Sequence, residues 1–241
     1  MNITAEKVKT EEQECCLKMD LVPIVGSMFN KTTAYDAYLT LYGNGLNAVP
    51  YKTIRPVAER TDIYVLLEQW ALGKCCKLVS DLIQDDTKFD YVTLNISARY
   101  LKTDKFVHDL LKITGKAGIP HEKICLEISE DDLEADTEMI IGKLHELKKE
   151  GFLIAIDDYN GYNIPLSRLD SIPSDIIKID KSVTDNIQTD RKAEQTVRSI
   201  VGRAGDLSRE VIAKSVDSEK NKYMLIALGC EKIQGYTGQK N

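Results

Sequence analysis

An unbroken apolar run ends in two adjacent carboxylates at Phe152-Leu-Ile-Ala-Ile-Asp-Asp158. A run without polar alternation suits a strand buried on both faces, as in a parallel sheet covered by helices. Acids at the C-terminal end of such a strand stand where barrel enzymes carry their chemistry. The pattern recurs in Val92-Thr-Leu-Asn-Ile96, Ile124-Cys-Leu-Glu-Ile128 and Asp175-Ile-Ile-Lys-Ile-Asp180, each an apolar run holding a polar residue. Asn95, Glu127, Asp157, Asp158, Lys178 and Asp180 therefore form one candidate site at the ends of successive strands.

The remaining chain fits the same architecture. Leu21 to Gly26 and Thr33 to Tyr42 read as an antiparallel pair turning near Asn30-Lys31. Between Tyr51 and Ile83, apolar residues including Ile54, Val57, Tyr64, Leu67, Trp70 and Ala71 recur at three and four, predicting two helices broken near Thr61-Asp62. Strict alternation follows, with strands over 91–97, 124–129, 152–157, 175–180, 210–216 and 232–236. Helices are expected over 98–116, 134–150, 164–170, 182–204 and 218–228. Such alternation favours parallel strands joined by right-handed helical crossovers. With the hairpin included, about eight strands are available, the number that closes a barrel. No glycine-rich loop follows the first strand, which disfavours an open nucleotide-binding sheet. The expected class is α/β, a (β/α)8 TIM-like barrel with an antiparallel first strand.

At 241 residues and 43% hydrophobic content the chain can bury one large core. We expect one barrel domain over 20–241, preceded by a polar extension over 1–19 that is partly helical or disordered. A net charge of −6 and scattered basic residues exclude an electrostatic nucleic-acid binder. The cysteines at 15, 16, 75, 76, 125 and 230 lack zinc-ribbon spacing and read as reduced thiols, with Cys125 a small core residue. No apolar stretch suits a membrane span and the polar N-terminus does not suit a signal peptide, so a cytoplasmic location is expected. Tyr35, Tyr38 and Tyr42 are expected to line one strand face, and the acids of Glu130–Glu138 to open a helix.

Pro23-Ile-Val25, Leu94-Asn-Ile-Ser-Ala-Arg99, Leu126-Glu-Ile-Ser-Glu130, Ile156-Asp-Asp-Tyr159, Ile177-Lys-Ile-Asp180 and Gly229-Cys-Glu-Lys-Ile-Gln-Gly235 together resemble the EAL family, whose members hydrolyse cyclic di-GMP. The resemblance runs from about residue 20 to 236 and implies a (β/α)8 barrel whose first strand is antiparallel to the rest. It also implies a centre of two Mg²⁺ or Mn²⁺ ions with a bridging water, a nearby lysine and a glutamate base. In such a centre the ions generate hydroxide and stabilise charge on the phosphodiester. By this resemblance Asp36, Asn95, Glu127, Asp157 and Asp158 stand at metal-ligand positions and Lys178 at the lysine. Arg99, Asp180 and Gln234 are the corresponding substrate contacts.

The departures from the family pattern are specific. Asp36-Ala37-Tyr38 stands where the signature Glu-Ala-Leu is expected, shortening the first ligand by one methylene. Thr40 replaces an arginine that resembles a phosphate clamp, and Thr carries no charge and no bidentate fork. Val22 replaces a base-contacting glutamine. Tyr159-Asn-Gly-Tyr-Asn-Ile-Pro165 replaces a loop normally rich in Gly and Ser. Lys214, in Lys214-Ser-Val-Asp-Ser218, stands at the position of the catalytic Glu. Among carboxylates its ammonium would compete with a metal ion, and a salt-bridged lysine is no general base at neutral pH.

These replacements lead us to expect a degenerate EAL domain without phosphodiesterase activity, acting as a regulatory or protein-interaction module in cyclic di-GMP-related signalling. The alternatives are an active or weakly active enzyme converting cyclic di-GMP to linear pGpG, and a non-catalytic cyclic di-GMP receptor. Mg or Mn is expected as cofactor in the active case and none in the silent one. The expected partner is a protein of unknown identity, with weakened cyclic di-GMP binding and no nucleic acid or membrane. A homodimer is compatible with the sequence.

Overall fold

The computed structural model describes residues 6–10, 13–26, 31–43, 48–61, 63–135 and 137–235. Ten strands form one sheet: β1 (Glu6–Thr10), β2 (Gln13–Gly26), β3 (Thr32–Tyr42), β4 (Val49–Pro50), β5 (Val92–Asn95), β6 (Ile124–Ser129), β7 (Leu153–Tyr159), β8 (Ile176–Ile179), β9 (Glu210–Ala213) and β10 (Lys232–Gln234). The ring runs β2-β10-β9-β8-β7-β6-β5-β3 and closes through β2–β3, while β1 and β4 extend it at the edges. β2 is antiparallel to both ring neighbours, and the other ring pairs are parallel. This is the expected eight-stranded barrel with an antiparallel first strand.

The largest difference lies near the start. The stretch expected to be partly helical or disordered is strand over 6–10 and 13–19, continuous with the hairpin arm. Leu17 and Met19 are buried while Lys18 and Asp20 are more exposed, so period-2 alternation had already begun there. The Asn30 part of the expected turn and the last residues from 236 onward lie outside the described residues. Downstream, the expected helices 98–116 and 182–204 each divide in two, and the other elements match within a few residues among the described residues.

Apolar runs do bury both strand faces. Leu126, Ile128, Ile154, Ile156, Ile177 and Ile179 belong to the main core cluster, which includes residues of the surrounding helices. Ile24, Ala34, Tyr91, Cys125, Ala155, Ile176 and Ile212 form a smaller cluster that plugs the barrel interior below the candidate site. Cys125 is thus the small core residue expected. The three tyrosines do not share a face. Tyr35 packs edge-on to Phe89 at 6.4 Å, Lys18 lies over the Tyr42 ring, and Tyr38 lines the cavity at the barrel mouth. An odd spacing from 35 to 38 puts the two side chains on opposite sides of a strand.

Candidate functional site

Lys178 sits at the centre of the barrel, fully buried on β8. Its Nζ donates to Asp36 Oδ2 and to Glu127 Oε1, each at 2.5 Å. Asn95 Nδ2 donates to Glu127 Oε2 at 2.9 Å, and Gln234 Nε2 donates to Asp36 Oδ2 at 2.7 Å. Five strands thus bring five of the expected residues into one hydrogen-bonded group. The shorter Asp36 still reaches Lys178, because β3 and β8 face each other across the closed ring. Burial works against the Lys178 ammonium, but Asp36 and Glu127 outweigh it and its pKa rises. Burial and neighbouring Asp36 push the Glu127 carboxyl up, against the pull of Lys178.

Two consecutive strand residues normally point to opposite faces. At Asp157-Asp158 the β7–β8 register is irregular, and Asp158 takes φ +51, a left-handed conformation that Asp tolerates better than most residues. This distortion brings both carboxylates to one cation. Lys214 Nζ donates to Asp157 Oδ1 at 2.6 Å and to Asp158 Oδ1 at 2.8 Å. Lys214 is only 8% exposed, so its side chain is directed into the site. Burial works against its charge, yet the acids, Asp157 foremost, raise its pKa above the ordinary lysine value. Burial pushes the Asp158 carboxyl up, but Lys214 and Lys52 outweigh it and hold its pKa down at about 2. Lys52 reaches Asp158 Oδ2 from the helix Tyr51–Ala58.

That helix covers a cavity of about 340 Å³ lined by Tyr38, Asn95, Asp157, Asp158 and Lys214 on the barrel side, and by Tyr51, Lys52 and Arg55 on the helix side. Arg55 pairs with both oxygens of Asp132 at 2.6 and 2.8 Å and with Glu59 at 2.7 Å. Glu68, also lining the cavity, accepts from Ser97 N at 3.2 Å, Ser97 Oγ at 3.0 Å and Tyr51 OH at 3.3 Å. Burial pushes its carboxyl up to about 7. Sequence reasoning missed Tyr51, Lys52, Arg55 and Glu68. The i, i+3 spacing of Lys52 and Arg55 was the available signal, since it puts two cations on one side of a short helix.

Two expected substrate contacts are held elsewhere. Arg99 lies over the Tyr64 ring at 4.3 Å and donates to the carbonyl of cavity-lining Glu59, without itself lining the cavity. Asp180 follows the end of β8 and caps the helix Lys181–Thr184 through Ser182 N at 2.8 Å. A carboxylate just before a helix satisfies a free backbone N–H more readily than it reaches back into a barrel. Glu130 opens a helix, as expected of the acid-rich stretch, and it also accepts from four backbone amides, those of Asn160, Gly161, Asn163 and Ile164, at 2.7–3.2 Å. One buried carboxylate therefore braces the loop after the paired aspartates.

The two-ion centre implied by the resemblance would take oxygens of Asp157 and Asp158 as ligands, since hard divalent ions take oxygen donors. Here one oxygen of each is engaged by the Lys214 ammonium at hydrogen-bond distance. In this arrangement the residues do not fit the two ions that the fold family implies. Asp36 Oδ1 is a buried oxygen of the same set without a protein donor.

The sequence profile described as EAL domain matches residues 5–240. The signaling protein YkoW of Bacillus subtilis is 32% identical over 185 residues, which cover 75% of this chain and 22% of YkoW. The chain thus spans under a quarter of that relative's length. The solved PaMucR phosphodiesterase, in complex with c-di-GMP, superposes with a TM-score of 0.86 at 22% identity over 93% of this chain and 91% of that one. Klebsiella pneumoniae BlrP1, solved as a manganese/cy-diGMP complex, gives a TM-score of 0.78 at 20% identity over 98% and 58% of the two chains. No helix among the described residues is long and apolar enough to cross a membrane. With the motifs in order on successive strands of the barrel and a profile match over nearly the whole sequence, the chain belongs to the EAL domain family.

Proposed function

We propose that this chain is a degenerate EAL domain without phosphodiesterase activity, acting as a regulatory or protein-interaction module in cyclic di-GMP-related signalling. The observation that carries this reading is the Lys214 ammonium between Asp157 and Asp158. An ammonium whose pKa is raised by those acids cannot take a proton from water at neutral pH, so the role of the glutamate base has no occupant. The same charge competes with any divalent ion for the same oxygens. Thr40 offers no cation for a phosphate, and Val22 no polar contact for a base. The retained barrel supports an interaction role, because core packing stabilises the fold independently of the site at its mouth.

A second reading, an active phosphodiesterase or a silent cyclic di-GMP receptor, is favoured by retained Asn95, Glu127, Asp157, Asp158 and Lys178. It is favoured also by the c-di-GMP in the PaMucR and BlrP1 complexes. Turnover decides between silence and activity. Incubating the chain with cyclic di-GMP and Mn²⁺ or Mg²⁺ is expected to yield no linear pGpG. Product formation approaching about 1 s⁻¹, the lower end of ordinary enzyme turnover, would overturn the proposal.

A further inference from the structure

By its own sequence the helix Tyr51–Ala58 is marginal. Its eight residues fall below the roughly 12–15 that an isolated helix needs in water. Pro50 at the N-cap offers no side-chain bond, the first turn holds no acid, and Pro56 inside the helix withholds one N–H. No side chain of the helix is fully buried, and Tyr51 and Ala58 pack half-buried against the core. The helix also turns a cation inward and an apolar residue outward: the Arg55 side chain is 23% exposed, whereas Val57 is 67% exposed. A helix seated by the hydrophobic effect alone would show the reverse.

Polar contacts tie this helix to three other elements around the mouth. Lys52 pairs with Asp158 of β7, and Arg55 takes both oxygens of Asp132, on the helix Glu130–Ala135, at 2.6 and 2.8 Å. Tyr51 OH donates to Glu68, on the helix Ile63–Gln84, at 3.3 Å. Both ion pairs keep contact with water, Lys52 and Asp158 at 77% and 21% side-chain exposure and Arg55 and Asp132 at 23% and 18%. Pairs of that kind weaken as salt screens them. Lys52 takes Asp158 Oδ2, the oxygen that Lys214 leaves when it binds Oδ1. We propose that the helix 51–58 is an ion-pair-latched lid on the barrel mouth. Its release uncovers the cavity and frees Asp158 Oδ2 and both Asp132 oxygens together, while the barrel beneath stays folded. Lid closure is separate from the Lys214 substitution, so the proposal goes beyond the non-catalytic reading and does not rest on it.

Hydrogen–deuterium exchange on the full chain tests the lid, because local opening and global unfolding expose different amides. The native chain is compared in about 0.01 M and about 1 M salt, which shortens the Debye length from roughly 30 Å to 3 Å. Two reporters bear on the lid: the amides of 51–59, and the cavity-lining Ser97 amide, which donates to Glu68 at 3.2 Å. The interior strand amides of 153–156 serve as the reference. In high salt both reporters should exchange about fivefold or more faster, measured against that reference. Asp132→Asn, which removes the charge from the bidentate latch, should accelerate them about tenfold in low salt. Should that variant fail to fold, the salt series on the native chain decides alone. Salt-independent exchange at 51–59 and Ser97, an unchanged rate in a folded variant, or equal acceleration of 153–156 overturns the proposal. The last result would mean that the helix opens only with the whole domain. Exchange needs no ligand, so the outcome stands whether or not the chain turns over cyclic di-GMP.

Discussion

Replacing Lys214 by Met keeps an unbranched side chain one atom shorter and removes the charge, which tests chiefly the electrostatic role of the ammonium. In the native chain that charge and Lys52 hold Asp158 at about 2 instead of 3.8, a difference worth about 2.4 kcal/mol. Lys52 supplies part of this and remains in the variant, whereas Asp157 loses its one ion pair among those described. Uncompensated charges left by breaking a buried pair cost about 3–5 kcal/mol, and the open cavity beside Asp158 favours the lower end. We therefore expect Lys214→Met to lose about 3 kcal/mol in urea unfolding at pH 7. For a domain of this size that is roughly a 6–12 °C fall in Tm. Because the Asp158 pKa is depressed in the folded state, its contribution is present above the unfolded value and lost as pH falls toward 2. The deficit of the variant should thus narrow across that interval. The freed oxygens should also accept Mn²⁺. At a hundredfold excess over Kd the ion returns about 2.7 kcal/mol, while the native chain gains little. A deficit under about 1 kcal/mol would place the ammonium in solvent. Equal Mn²⁺ stabilisation of both proteins would show that Lys214 does not exclude the ion.

Three further outcomes can be measured by equilibrium unfolding and proteolysis. Glu68 is pushed up to about 7 by burial, so the folded state loses stability as pH rises from 4.5 through 7. Glu68→Gln should be near neutral at pH 4.5 and stabilising by about 3 kcal/mol at pH 8, and a pH-independent effect would contradict this assignment. Glu130→Ala frees four backbone amides, should cost about 3 kcal/mol, and should open the 160–164 segment to limited proteolysis; an unchanged cleavage pattern would count against the brace. Gly235 takes φ +99, and a Cβ there would lie 3.2 Å from Ser215 Cα. Gly235→Ala should therefore destabilise by more than about 1 kcal/mol, and a neutral effect would mean that the backbone relaxes there.

The alternation of apolar runs with helical spacing was enough to read the barrel, because strands buried on both faces cannot hide their composition. Asn95, Glu127, Asp157, Asp158 and Lys178 were legible for the same reason, each being a polar break near the end of an apolar run, whereas Gln234 was legible only through the family resemblance. Lys52 and Arg55 illustrate what was not legible. Their helix contains no fully buried residue, and tertiary ion pairs with Asp158 and Asp132 join half-buried Tyr51 and Ala58, packed against the core, in holding it over the cavity. Glu130 read as a helix-opening acid and does open one, but its bond to a loop thirty residues away has no local signature. Asp180 and Arg99 read as substrate contacts by motif, and nearby groups satisfy them instead: the amide of Ser182, the Tyr64 ring and the Glu59 carbonyl.

With Lys214, Thr40 and Val22 at its mouth, the barrel should be closed to the nucleotide and its metal ions. Calorimetric titration of cyclic di-GMP into the native chain with Ca²⁺ present tests it most directly, since that ion can occupy an oxygen site while slowing hydrolysis. No binding heat is expected at high ligand concentration. Micromolar or tighter binding would contradict it and make the barrel mouth a working cyclic di-GMP site.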